Sequence, residues 1–143
     1  MIGGYVLLLL LKKHGKVKVG GLGVLNFKKG YYAYVGSAMG RSISIEKRLE
    51  RYKRIVLSKT GKLKWHIDYL LADKNVSLVD FIPVKSNMRV ECRISKSLSR
   101  VADGVVSGFG SSDCKNRCVG HLYYFRVNPK KSILKILKED GLI

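Results

Sequence analysis

The sequence predicts an α+β fold, in which helices flank a small, mainly antiparallel sheet. The first 35 residues consist of apolar runs and alternating segments separated by glycines, a pattern typical of strands joined by turns. From residue 42 onward, apolar residues recur at helical spacing, and two later segments again have the composition of strands. A length of 143 residues, 46% of them hydrophobic, suits one domain that occupies residues 1–143.

The elements follow from these patterns in chain order. Strands are predicted at residues 5–11, 16–19, 22–27, 31–35, 76–83 and 121–127, and helices at residues 42–58, 63–72, 88–101 and 130–138. The run from Val6 to Leu11 is far shorter than the ~20 apolar residues that cross a bilayer, so it predicts a buried strand rather than a membrane span or signal peptide. Residues 104–120 are rich in turn formers and predict a surface loop suited to function.

The charge balance indicates a polyanionic partner. The chain has 28 Lys and Arg against 10 Asp and Glu, a formal net charge of +18 at pH 7. No acidic residue precedes Glu46, and residues 46–64 contain eight basic residues against two acidic ones. Solubility alone would be served by mixed signs, and no helix has the large apolar face of a lipid-binding helix. These observations predict a nucleic-acid partner and no membrane association.

The three cysteines favour a reducing, cytoplasmic location, because a secreted disulfide framework usually has an even number of cysteines and a signal segment. Cys92 is expected to pack in the core. Cys114, Cys118 and His121, spaced as C-x3-C-x2-H, could supply three zinc ligands with Asp113 as a fourth, although the spacing is uncommon and no second cysteine pair follows. The alternative is that this loop approaches DNA.

Four short motifs stand out in their order along the chain. Gly3-Gly4-Tyr5 opens the first predicted strand, Tyr34-Val35-Gly36 ends a later one, Arg48-Leu49 follows in a helix, and Glu91 lies early in another helix. In this order the chain resembles the GIY-YIG nucleases. Its fuller pattern resembles a largely archaeal, uncharacterised branch found alone or fused to a DNA-repair glycosylase: residues 30–38, Trp65 to Leu70, Glu91-Cys92 and Gly108 to Cys114.

The resemblance implies a metal-dependent DNA endonuclease that hydrolyses phosphodiester bonds, is structure-selective and has a DNA-repair protein as a partner. Glu91 would hold Mg²⁺ or Mn²⁺, a role that suits a carboxylate. Arg48 would bind the phosphate through its planar guanidinium. Tyr5 or Tyr34 would accept the proton of the attacking water, if the nearby cations lower the tyrosine pKa.

Other interpretations of the same residues remain open. Tyr52 shares a helix face with Arg48 and is grouped with the catalytic residues, but this spacing also suits simple surface packing. His66 is either a buried, hydrogen-bonded histidine or a catalytic residue that orients the nucleophile. Glu91 could instead pair with Arg89, Arg93 or a neighbouring lysine.

A set of basic and hydroxyl residues is predicted to contact nucleic acid, with DNA favoured over RNA: Arg41, Lys47, Arg51, Lys53, Arg54, Ser111 and Ser112. The alternative function is a non-catalytic nucleic-acid-binding module on the same fold.

Overall fold

A computed structural model of the chain describes residues 1–40, 42–110 and 118–143 and confirms the α+β fold. The strands are β1 (Gly3–Leu11), β2 (Gly15–Lys18), β3 (Val24–Phe27), β4 (Gly30–Ala38), β5 (Val76–Lys85), β6 (Gly104–Val105) and β7 (Leu122–Phe125). The helices are α1 (Ile45–Ser58), α2 (His66–Leu71), α3 (Glu91–Ser99) and α4 (Lys130–Glu139), with a single 3₁₀ turn at Gly20–Leu22. No described helix is long and apolar enough to cross a membrane.

The main sheet has the strand order β5-β1-β4-β7-β6, and every neighbouring pair is antiparallel. β1 lies between β5 and β4, which explains why the predicted buried strand is apolar on both faces. β2 and β3 form a separate two-stranded sheet between the two tyrosine motifs. The structure therefore confirms the strand pair expected there.

Alternate residues of β1 face two different core clusters. Leu7 and Leu9 lie in a cluster with apolar residues of α1 and α2, whereas Val6 and Leu8 lie in a cluster with α3 and α4. The sheet is thus covered by helices on both faces. Since residues of β1 and β4 that pair across the ladder point the same way, Tyr5 and Tyr34 both lie on the face covered by α1 and α2.

Local hydrogen bonds explain where two helices begin. The Ser44 hydroxyl accepts from the Lys47 backbone N–H at 3.2 Å, which caps α1 at Ile45. Asp68 accepts from the backbone N–H groups of Lys64 and Trp65 at 2.8 Å each, so these residues stay outside α2. The prediction of a helix from residue 63 was therefore too long. The predicted third helix, at 88–101, is also shorter in the structure, at Glu91–Ser99.

Two predictions about exposure need correction. Residues 104–120 were expected to form a surface loop, and residues 107–110 do form turns, but Gly104–Val105 pairs with β7 and the Phe109 side chain is completely buried. An aromatic ring inside a turn-rich segment anchors that segment in the core. Cys92 was expected in the core, but it is half-buried on the first turn of α3, beside Cys118.

A candidate active site where β1 and β4 meet α1 and α3

The register of β1 and β4 places the two tyrosine motifs side by side. Tyr5 pairs with Gly36, and Tyr34 pairs with Leu7, so the two tyrosines occupy diagonal positions on one face of the sheet. A Cβ atom on Gly36 would lie 2.4 to 2.6 Å from the Tyr5 ring. Gly36 is therefore required because the Tyr5 ring lies directly over its Cα.

A third tyrosine joins this pair from α1. The Tyr5 and Tyr52 hydroxyls form a buried hydrogen bond of 2.5 Å, in which either oxygen can donate. The Tyr5 ring also stacks on Phe81 of β5, with centroids 5.1 Å apart. The Tyr5 hydroxyl is thus held by Tyr52, whereas the Tyr34 hydroxyl makes no hydrogen bond to a described residue.

Burial raises the pKa of Tyr5, Tyr34 and Tyr52 above the ordinary tyrosine value. The positive charge of Arg48 lowers each pKa, but this effect is smaller than that of desolvation. The result is the reverse of the lowered tyrosine pKa expected from the sequence. All three hydroxyls are protonated at neutral pH.

Arg48 extends from α1 toward the same tyrosines. Its guanidinium carbon lies 4.3 Å from the centre of the Trp65 ring, a cation–π contact that restricts the orientation of the side chain. The Arg48 Nε is buried and has no hydrogen-bond partner in the described part of the chain. A buried donor without an acceptor is costly, which suits a side chain kept for an anionic ligand.

Arg51, which was predicted to contact nucleic acid, is held by a buried carboxylate. Its guanidinium donates to both oxygens of Asp68 at 2.5 and 2.6 Å, and the Asp68 side chain is completely buried. The Arg51 guanidinium also lies 4.4 Å from the Trp65 ring. Arg51 and Asp68 therefore fix the tryptophan on which Arg48 rests.

Glu91 begins α3 and is half-buried. Its negative charge contributes to the raised pKa of both Tyr5 and Tyr34, which shows that the carboxylate lies within electrostatic reach of the tyrosines. Within residues 1–40, 42–110 and 118–143, Glu91 forms no ion pair. The alternative pairing with Arg89 or Arg93 is thus not made.

His66, at the start of α2, supports the loop that covers Tyr34. Its Nδ1 accepts from the Gly110 backbone N–H at 2.8 Å, and its ring meets Phe109 edge-on at 5.6 Å. Gly110 has a φ of +69°, and a Cβ there would lie 3.0 Å from the Tyr34 ring. His66 is therefore hydrogen-bonded but half-buried rather than buried, and its bond keeps the loop against Tyr34.

The model of one protein family, described as "Domain of unknown function DUF123", matches residues 4–141. The chain belongs to this family. The match spans every strand and helix of the fold except the first residue of β1. Comparisons of the DUF123 chain with curated proteins and with solved structures gave no match.

The exposed face of α1 in the DUF123 domain carries three basic residues and two acidic ones, Glu46 and Glu50. Three residues that were predicted to contact nucleic acid are exposed: Lys47, Lys53 and Arg54. The Lys47 Nζ donates to the Ser42 carbonyl at 3.2 Å. Arg41, Ser111 and Ser112, which were also predicted to contact nucleic acid, lie outside the described residues.

The DUF123 domain also has a group of side chains that could hold a metal ion, formed by Cys92, Cys118 and His121. One ligand atom from each lies within 4.8 Å of the others. Burial lowers the pKa of His121, and the charge of Glu91 opposes this effect. Of the zinc ligands considered from the sequence, Cys118 and His121 belong to this group, whereas Cys114 and Asp113 lie outside the described residues.

Sequence reasoning missed two parts of this arrangement. Cys92 was not considered as a metal ligand because 25 residues separate it from Cys118. Its position directly after Glu91 was the one feature of the sequence that linked it to the site. The stacking of two arginines on Trp65 was also missed. The segment Trp65-His66-Ile67-Asp68 had been singled out, but its contacts with α1 depend on tertiary packing.

Proposed function

We propose that this DUF123 chain is a metal-dependent endonuclease that hydrolyses phosphodiester bonds in DNA. One observation carries the proposal: Arg48 and Glu91 both act electrostatically on Tyr5 and Tyr34, yet neither forms an ion pair within the described residues. Charges that remain unpaired suit a site where an anion binds one and a cation binds the other.

A phosphodiester and a divalent cation fit these two charges. Arg48 would bind the phosphate, since its guanidinium offers several donors and its Nε lacks an acceptor within the described chain. Glu91 would hold Mg²⁺ or Mn²⁺, because these ions prefer carboxylate oxygen and take further ligands from water and phosphate. When bound, such a cation stabilises the charge that develops on the phosphate and favours deprotonation of nearby hydroxyls.

The tyrosines would have distinct roles. Tyr34 is the better candidate for accepting the proton of the attacking water, because its hydroxyl has no hydrogen-bond partner among the described residues. Since burial raises the pKa of Tyr34, this role requires that the bound cation lower that pKa and favour the phenolate. Tyr5 and Tyr52 hydrogen-bond to each other, which suits positioning more than proton transfer. His66 would act indirectly, by holding the Gly110 loop against Tyr34.

Charge and resemblance support DNA as the substrate. The net charge of +18 would attract a nucleic-acid backbone, and Lys47, Lys53 and Arg54 lie exposed on the helix that carries Arg48. The resemblance to GIY-YIG nucleases adds a metal-dependent mechanism and a link to DNA repair. A cytoplasmic location and a DNA-repair partner are parts of this proposal.

A cleavage assay tests the proposal directly. End-labelled single-stranded, duplex, flapped and branched DNA, and single-stranded RNA, are incubated with the protein and Mg²⁺ or Mn²⁺. We expect metal-dependent cleavage of at least one DNA, which Glu91→Gln and Arg48→Ala reduce at least roughly 100-fold, the usual cost of removing a group that stabilises the transition state. DNA affinity should change much less than the cleavage rate.

Matched controls separate a specific loss from a general effect of charge. Glu139→Gln and Arg93→Ala remove the same charges at exposed positions, so both variants should cleave like the wild type. Cleavage that persists in Glu91→Gln would contradict the proposed site. Binding without cleavage of any substrate by the wild type would favour the non-catalytic module, and cleavage of RNA alone would favour an RNA enzyme.

A further inference from the structure

Cys92, Cys118 and His121 lie close enough together to form a tetrahedral metal site after a small adjustment. Bonds of about 2.3 Å to sulfur and 2.0 Å to nitrogen place neighbouring ligand atoms roughly 3.5 to 3.8 Å apart. The three ligand atoms already lie within 4.8 Å of one another, and the two Sγ atoms are 3.1 Å apart. A separation between the sulfurs that is about 0.7 Å wider would accommodate the ion.

The histidine supplies a second, independent observation. His121 is only 2% exposed, and its Nε2 is buried without a hydrogen-bond partner in the described part of the chain. A buried imidazole nitrogen that no protein group satisfies points to a ligand. A bond to a metal would satisfy it.

The chemistry of the donors selects the ion. Two thiolates and one imidazole favour Zn²⁺ over Mg²⁺, which prefers oxygen, and water can complete the fourth position. A disulfide is the rival, but its sulfurs must approach to about 2.05 Å. A disulfide would also leave the His121 Nε2 without a partner, so zinc accounts for more of the observations.

We infer that Cys92, Cys118 and His121 bind a zinc ion that joins the start of α3 to the main sheet. The backbone around His121 is firmly placed, because its carbonyl accepts from Val35 N–H of β4 at 2.8 Å and its N–H donates to the Phe109 carbonyl at 2.8 Å. Val35 lies between Tyr34 and Gly36. Cys118 lines a cleft of about 360 Å³, which gives an ion access from solvent.

This zinc site is distinct from the proposed Mg²⁺ site, yet it would help to position that site. Cys92 directly follows Glu91 on the first turn of α3. A metal that ties Cys92 to His121 therefore restrains Glu91 relative to the strand that carries Tyr34. None of the three zinc ligands belongs to the proposed Mg²⁺ site, so zinc should be present whether or not the chain cleaves DNA.

The metal content of purified protein is the first test. Untagged protein, purified in reductant without chelator, is analysed by mass spectrometry of its metals. We expect one zinc ion per chain in the wild type and in Glu91→Gln, and less than a tenth of that in Cys92→Ser and Cys118→Ser. His121→Ala should also lose zinc, whereas His14→Ala, which removes an exposed imidazole, should keep it. Because Glu91→Gln separates the two sites, failure of the nuclease proposal and failure of the zinc proposal give different results.

Cobalt substitution and metal removal test the wild type itself, in case a cysteine variant does not fold. The stripped protein should melt at a lower temperature, recover with Zn²⁺ but not with Mg²⁺, and show sulfur-to-cobalt charge-transfer absorption with Co²⁺. Purified protein without zinc that shows no such absorption would overturn the inference. So would a Cys92–Cys118 disulfide, detected as resistance of both residues to alkylation until reductant is added.

Discussion

Replacing Gly36 by alanine would place a methyl group inside the volume that the Tyr5 ring occupies. The added Cβ would lie 2.4 Å from both the Cζ and the hydroxyl oxygen of Tyr5. Since the Tyr5 residue is 2% exposed and its ring stacks on Phe81, the ring cannot move away freely. Displacing it would also break the buried hydrogen bond to Tyr52.

The expected loss of stability combines three terms. Overpacking costs about 1 to 3 kcal/mol, and the lost hydrogen bond costs about 0.5 to 1.5 kcal/mol. Alanine in a strand interior gains roughly 0.5 to 1 kcal/mol over glycine. We therefore expect Gly36→Ala to lower the free energy of unfolding by about 2 kcal/mol, measured by urea denaturation with circular dichroism.

Two further variants test the cause of this loss. Gly15 lies in β2, and a Cβ there would meet nothing within 4 Å, so Gly15→Ala should be neutral or slightly stabilising. In a Tyr5→Leu background, Gly36→Ala should cost little because the ring is gone. If Gly36→Ala is as stable as Gly15→Ala, or if its cost is unchanged without the Tyr5 ring, the reasoning is refuted.

Three other predictions follow from contacts around the site and the sheet. Arg51→Ala leaves the buried Asp68 carboxylate without its ion pair and should lower the free energy of unfolding by about 3 kcal/mol. A loss below about 1 kcal/mol, measured by urea denaturation, would contradict this prediction. A hydrogen bond from Lys130 lowers the pKa of Asp80. The pair therefore stabilises the fold at pH values above the ordinary carboxyl pKa of about 4. The stabilisation from this pair is lost as the pH falls through the lowered pKa of Asp80. Asp80→Asn should therefore cost at most about 1 kcal/mol near pH 6 and less as the pH falls below about 4. An equal cost at every pH would exclude the pair as the cause. Trp65→Leu removes the ring on which Arg48 stacks, so the rate of DNA cleavage should fall while DNA affinity is largely kept. An unchanged cleavage rate would show that the stacking does not position Arg48.

The fold was predictable because its elements have strong local signals. The apolar run of β1, the glycine-rich turns and the helical spacing in α1 all agree with the final sheet and helices. Helix boundaries were less accurate where a tertiary contact decides them. Asp68 accepts backbone N–H groups before α2 and binds Arg51, and no local pattern predicts that combination.

The candidate site was predictable where a motif places a residue on an element, and unpredictable where packing decides its surroundings. The order of four residues along the chain predicted that they belong to one site: Tyr5, Tyr34, Arg48 and Glu91. The strand register explains why the two tyrosine motifs are in contact. The raised tyrosine pKa could not be foreseen, because it depends on how deeply the rings are buried. The role of Cys92 likewise depends on how α3 meets the segment before β7.

The surroundings of the acidic residues support the proposal that Glu91 binds a ligand. A half-buried carboxylate among 28 basic residues has many potential partners, and five of the ten acidic residues do form ion pairs: Glu46, Asp68, Asp80, Asp103 and Asp140. Asp73 accepts a backbone hydrogen bond from Asn75, and Glu50 and Glu139 are exposed to water. Glu91 is half-buried, and its side chain forms no ion pair and no hydrogen bond within residues 1–40, 42–110 and 118–143. Because removing a carboxylate from water without compensation is unfavourable, this position supports the proposal that a cation binds Glu91.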